Sequence, residues 1–235
     1  MRYLFGGLMS LSLIACQSPS FEVCDVNLGF NKVQAMSATT RVAEKSRAST
    51  VKVVSVRPNG KAFGTGTVFK YKGQIVVMTA AHVVDTPDSL LFIEAETGLY
   101  AAKAVYVDSF ADLAVLTVSE DMRIKAIPFR QAKQRQIKMG TDVVYSGFPN
   151  NSGLLTIEGY IAGMHKKGFL YMHSYGWSGA SGSSVFDNEG RLVGILVALD
   201  VGPGIIGMPN IIEDVVIVVP IWMLNFDILD KSLNE

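Results

Sequence analysis

Three short stretches of this 235-residue sequence carry residue types that together could perform nucleophilic acyl chemistry. The first is Trp177-Ser178-Gly179-Ala180-Ser181-Gly182-Ser183-Ser184-Val185-Phe186-Asp187. Gly179 and Gly182 flank Ser181, so the backbone there can turn tightly, expose a hydroxyl and gather the amides of Gly179 and Ser181 into one pocket for an oxyanion. A serine hydroxyl is inert at neutral pH unless a base lies within hydrogen-bond reach. The second stretch supplies that base: Val76-Val77-Met78-Thr79-Ala80-Ala81-His82-Val83-Val84 is an apolar strand running into small residues and then histidine. His82 is one of three histidines, and His165 and His173 have no comparable surroundings. The third, Asp108-Ser109-Phe110-Ala111-Asp112-Leu113-Ala114-Val115-Leu116, offers Asp112 to orient the base, with Asp108 a rival by proximity that reads as a turn acid.

Elements to position these residues follow from the pattern of short β-branched and aromatic runs broken by Gly, Pro, Asn and Asp from Ser49 onward. Strands are expected at 50–57, 62–71, 74–79, 89–94, 100–108 and 113–118, and again at 142–147, 154–162, 168–173, 183–186, 192–199 and 215–219. Six strands in each half predict an all-β fold of two six-stranded antiparallel barrels packed side by side. The segment 119–138 between the halves has no strong period apart from 126–129. Ile211 to Leu224 is apolar enough to suggest a membrane span, but Glu213, Asp214 and Pro220 interrupt it, so a core strand and a short terminal helix near 221–229 are expected.

Acidic and basic residues balance at 21 each and no Lys/Arg run is interleaved with aromatics, which argues against nucleic acid as a partner. The two cysteines and three histidines have no metal-ligand spacing, and no cofactor is expected.

In the order His, Asp, Ser, the three stretches resemble the trypsin-like (chymotrypsin-fold) serine peptidases. Thr79-Ala80-Ala81-His82 and Asp112-Leu113-Ala114-Val115-Leu116 resemble that family's base and acid elements, and Gly64-Thr65-Gly66-Thr67-Val68 resembles the glycine-rich strand of the bacterial HtrA/Deg peptidases. The likeness runs from Ser49 to Leu229, through Gly147-Phe148-Pro149, Arg191-Leu192-Val193-Gly194-Ile195 and Val219-Pro220-Ile221, so no PDZ module is expected in this sequence. It implies a serine endopeptidase acting through an acyl-enzyme, with Ser181 as nucleophile, His82 as base, Asp112 as orienting acid, and protein or peptide substrates. A catalytically impaired peptide-binding module on the same fold is the alternative. Ala180 stands where digestive relatives place an Asp that pairs with a freed N-terminus, so that activation switch is not expected. By offset from Ser181 and Gly194, Tyr175, Val197 and Leu199 would line the pocket for the residue before the scissile bond, and none is acidic. A small or modest apolar side chain should fit there.

The beginning of the chain differs from the rest. Arg2, an apolar stretch of about a dozen residues from Leu4 to Ala15, and Leu13-Ile14-Ala15-Cys16 make a signal-peptide pattern too short to span a bilayer roughly 30 Å thick. Residues 1–15 are therefore expected to be a cleaved signal, 16–48 a tether, 49–229 the peptidase domain and 230–235 a tail. The small residue before Cys16 resembles a bacterial lipobox. That resemblance implies lipidation at Cys16, an exported protein held to the envelope membrane by acyl chains at ~0.8 kcal/mol per buried methylene. Gln17 rather than Asp after Cys16 favours the outer membrane of a Gram-negative cell. With Cys16 lipidated, Cys24 has no partner within the chain; without lipid, a Cys16–Cys24 bridge is open to it.

Overall fold

The computed structural model describes residues 40–57, 60–84, 89–118, 122–151, 153–202 and 210–234. The segment expected to be a signal, Cys16, Cys24 and most of the expected tether lie outside them. The expected architecture is present: two closed six-stranded antiparallel barrels and a short C-terminal helix.

The first barrel contains β1 (Thr50–Arg57), β2 (Gly60–Tyr71), β3 (Gln74–Thr79), β4 (Leu90–Ala95), β5 (Gly98–Asp108) and β6 (Leu113–Val118), paired in the order β1-β4-β5-β6-β3-β2 and closed by β1 on β2. A further strand, β7 (Ile127–Pro128), runs parallel to β2. The second barrel contains β8 (Asp142–Gly147), β9 (Leu155–Met164), β10 (Leu170–His173), β11 (Ser184–Asp187), β12 (Leu192–Gly202) and β13 (Asn210–Pro220), closed in the order β10-β13-β12-β11-β8-β9. Closure leaves neither barrel with an open edge in its own sheet. The apolar stretch 211–224 is thus β13 followed by a single 3-10 turn at Ile221–Met223. No helix among the described residues is long and apolar enough to cross a membrane.

Period-2 alternation is weak in β11 and β12 because both faces are buried. Val185, Val193 and Leu196 fill the interior of the second barrel with Tyr145, Ile161 and Met172. Their neighbours Phe186, Leu192 and Ile195 face the other way and join the core of the first barrel. A chain of rings continues this seam: Phe186 lies 6.1 Å from Phe69, Phe69 5.7 Å from Phe129, and Phe129 5.2 Å from Tyr71. The segment between the barrels, which has no period, is stitched to both. Ile127 pairs with Phe69 of β2, and Gln131 bridges to Leu192 of β12, with Ala132 N donating to the Leu192 carbonyl at 2.8 Å. Two-residue pairings are too short to leave a periodic signature in sequence.

Three α-helices lie among the described residues. Helix α1 (Arg41–Ser49) falls almost wholly in the stretch 16–48 read as tether. Thr40 caps it by accepting from Ala43 N at 3.1 Å, and it packs on the second barrel through Ala43, Ser46 and Ser49. Ser46 donates to Ser146 Oγ at 3.0 Å, and Arg47 to the Leu154 carbonyl at 2.8 Å. Helix α2 is the single turn Ala81–Val84, and α3 is Phe226–Leu233, which buries Leu229 against the shared core. Asp230 of α3 accepts from Tyr71 Oη at 2.8 Å and from Lys72 Nζ at 2.5 Å.

Phe69→Ala should lower stability by about 3–5 kcal/mol, because it empties a fully buried position at the meeting point of both barrels. Urea unfolding should show the midpoint shifted with an unchanged slope. The bonds from Lys72 and then Tyr71 hold the Asp230 carboxyl below its ordinary range. A depressed native value stabilises the fold above the unfolded carboxylate's value and is lost as pH falls through the native one. The gap in melting temperature between the parent and Asp230→Asn should therefore be widest near neutrality and shrink below about pH 4. A gap that stays constant on acidification would contradict this assignment.

Candidate active site

The first barrel supplies His82 and Asp112 from loops at one end. After β5 the chain must reverse into β6 within four residues, and Asp108 shapes that reversal: its Oδ1 accepts from the amides of Phe110 and Ala111, both at 2.9 Å, and its Oδ2 lies 3.3 Å from Tyr106 Oη. Asp108 is thus committed to the turn. The reversal leaves Asp112 in the left-handed region, φ 53°, which aspartate tolerates better than most residues. In that conformation Asp112 meets His82 and its neighbour at three points. Its backbone carbonyl accepts from Ala81 N at 3.2 Å, Oδ1 accepts from His82 N at 2.8 Å, and Oδ2 lies 2.7 Å from His82 Nδ1. A carboxylate at Nδ1 favours the tautomer with its proton there, leaving Nε2 of a neutral imidazole as an acceptor. His165 and His173 lie elsewhere, stacked on Phe169 at 6.2 Å and on Tyr160 at 5.0 Å.

Ser181 comes from the second barrel, on the loop that enters β11. Gly179 and Gly182 both have positive φ, 93° and 92°. At Gly182 a Cβ would collide with the Thr65 carbonyl and Thr79 Oγ1, and at Gly179 with the Phe148 carbonyl, so neither position has room for a side chain. Through Gly182 the loop rests directly on the end of β3, three residues before His82.

Every carbonyl from Ser178 to Ser181 is engaged. Ser178 O accepts from Asn150 N at 2.6 Å, Gly179 O from Thr65 Oγ1 at 2.7 Å, Ala180 O from Ser183 N at 3.0 Å and Ser183 Oγ at 2.6 Å, and Ser181 O from Thr65 N at 2.8 Å. The amides of Ala180 and Gly182 donate to Trp177 O at 2.9 Å and Leu196 O at 2.7 Å. The amides of Gly179 and Ser181 donate to no described group. In a trans peptide N–H and C=O point in opposite directions, so fixing the Ser178 and Ala180 carbonyls aims these two amides away from their partners and leaves them available to an anion.

The Ser181 hydroxyl is partly buried and lies 3.4 Å from the Val197 carbonyl, and it makes no hydrogen bond to His82 among the described residues. Ala180 is fully buried in the core of the second barrel, where a charged side chain would need a partner. Of the three pocket candidates, Val197 is buried and its carbonyl meets Ser181. Tyr175 is about half exposed, and its carbonyl accepts from the buried Tyr145 hydroxyl at 2.5 Å. Burial raises the pKa of Tyr145, which keeps that hydroxyl a donor. Leu199 pairs with Val216 in the ladder, and its side chain lies outside the described residues. Thr65 was not singled out in the sequence, although the flanking glycines Gly64 and Gly66 mark a place where backbones approach closely: a Cβ at Gly64 would lie 2.9 Å from Ser181 O and 2.6 Å from Val83.

The chain is 27% identical over 143 residues to the serine endoprotease DegS of Salmonella typhimurium and to that of Escherichia coli. The matched stretch takes in 57% of this chain but only 39% of the length of those relatives. The crystal structure of the serine endoprotease from Yersinia pestis is similar in fold, with a TM-score of 0.65 at 21% identity, covering 83% of this chain and 66% of that one. Because residues 64–195, more than half of the chain, match the trypsin-like peptidase domain, the protein belongs to that family.

Proposed function

We propose that the protein is a serine endopeptidase that cleaves protein or peptide substrates through an acyl-enzyme. The observation that carries this reading is the loop around Ser181, whose carbonyls are all engaged while the amides of Gly179 and Ser181 stay unspent beside a hydroxyl. Asp112 holds the Nδ1 proton of His82 and favours the imidazolium that forms when Nε2 takes the Ser181 proton. The alkoxide oxygen attacks the scissile carbonyl, whose oxygen gains negative charge and is held by the two amides. His82 returns its proton to the departing amine as the carbon–nitrogen bond breaks, and water, activated by the same base, releases the acyl group. Tyr175, Val197 and Leu199 form the recognition pocket, for a small or modest apolar residue. Lipidation at Cys16 would hold this domain to a bacterial envelope membrane, the outer one by the residue at Gln17.

One observation favours the second reading, a peptide-binding module that has lost turnover: Ser181 Oγ faces the Val197 carbonyl, and no hydrogen bond links it to His82. At 3.4 Å that contact is long for a hydroxyl donor, so one staggered χ1 change gives up little when Ser181 turns toward the base. Catalytic hydrogen bonds also tighten when substrate binds.

A fluorophosphonate probe and casein distinguish the two readings. The parent protein should be labelled and should cleave, Ser181→Ala should lose labelling, and Asp112→Asn should lower kcat by roughly 10⁴-fold while leaving the fold intact. Labelling that survives Ser181→Ala would refute the assigned nucleophile, and a folded parent that neither labels nor cleaves would favour the binding module.

A further inference from the structure

Thr65 belongs to the first barrel, yet it contacts three separate parts of the opposite wall of the site. Its Oγ1 donates to Gly179 O at 2.7 Å and accepts from Phe148 N at 3.1 Å, and its amide donates to Ser181 O at 2.8 Å. Its carbonyl accepts from Thr79 Oγ1 at 2.7 Å, at the end of the strand that leads to His82. The residue is fully buried, so each of these groups lacks water as a substitute partner. Resting on the peptidase reading above, we infer that Thr65 is the positioning residue that keeps the oxyanion-binding amides aimed at the reacting carbonyl.

The peptide between Gly179 and Ala180 is the one that Thr65 restrains most directly. It lies between the two unspent amides, and Gly179, with no Cβ and φ 93°, can rotate it at little steric cost. The Thr65 hydroxyl holds this carbonyl on one side, and the Thr65 amide holds the carbonyl of Ser181 two peptides later. Together they fix the loop at both ends of the segment that carries the two donors. Without the hydroxyl, Gly179 O is left buried and unsatisfied, and the bond from Ala180 N to Trp177 O is the one described contact still opposing a rotation that turns a carbonyl toward the space the oxyanion needs. The same hydroxyl accepts from Phe148 N, so its loss also frees the loop after β8, whose Asn150 amide holds the Ser178 carbonyl. Thr65 touches neither substrate nor reacting atoms. Its effect passes through the backbone it holds.

The test compares Thr65→Val, Thr65→Ala and Thr65→Ser in the full chain, scored per folded molecule after circular dichroism. Thr65→Ala guards against the misfolding that a methyl against Gly179 O could cause. A fluorogenic peptide with an apolar residue before the scissile bond gives kcat and KM, and the matching peptide boronate reports affinity for a tetrahedral adduct. Removing the hydroxyl should lower kcat by roughly 10- to 100-fold with KM within about threefold, and weaken boronate binding in parallel. Thr65→Ser, which keeps the hydroxyl, should stay within about threefold of the parent in both. A hydroxyl-free variant that melts earlier but keeps the parent's kcat and boronate affinity would overturn the inference and leave a structural role, with the peptidase reading standing. A parent that the fluorophosphonate fails to label would bring down the peptidase reading, and this inference with it.

Discussion

His82 and Asp112 belong to one closed barrel and Ser181 to another, so their placement beside one another depends on a contact that holds the barrels in register at that point. The strand segment Gly64-Thr65-Gly66 makes it. Thr65 hydrogen-bonds backbone on both sides of the divide, and Gly64 lets the Ser181 carbonyl and Val83 come within van der Waals reach of the same strand. Apolar packing such as the Phe186–Phe69 contact pulls the barrels together, but it is non-directional and tolerates small slips. Hydrogen bonds to particular carbonyls do not, which is why the site is aligned by polar contacts set inside an apolar seam.

The His82–Asp112 half of the site rests on a second economy of backbone. Asp112 binds the His82 peptide and ring with one carboxylate, so the imidazole is held at two points by a residue that the β5–β6 reversal has already fixed. Asp108 makes that reversal possible by saturating one oxygen with two amides. Two acids four residues apart therefore have separate tasks, one shaping the turn and the other using the conformation it creates.

The six-stranded halves could be read from alternating β-branched runs and from the turn residues between them, because local propensity and tertiary structure agree there. The segment from Met122 to Lys138 could not, since its pairings with Phe69 and Leu192 are one or two residues long and leave no period. Helix α1 was only faintly legible: nine residues of low apolar content form it because Ser46 and Arg47 find partners on the second barrel.

By itself the sequence determined which residue types were available for chemistry and their order along the chain, because Gly-flanked Ser181, strand-terminal His82 and Asp112 are local patterns. It also determined the barrel class, through periodicity. Only the tertiary structure decided between Asp108 and Asp112 as the partner of His82, and only it brought forward Thr65. The first choice depends on how the β5–β6 reversal sets a carboxylate against His82, 30 positions away, and the second on which backbone groups meet across two barrels, where residues 114 positions apart are brought together by packing and hydrogen bonding that no local window contains.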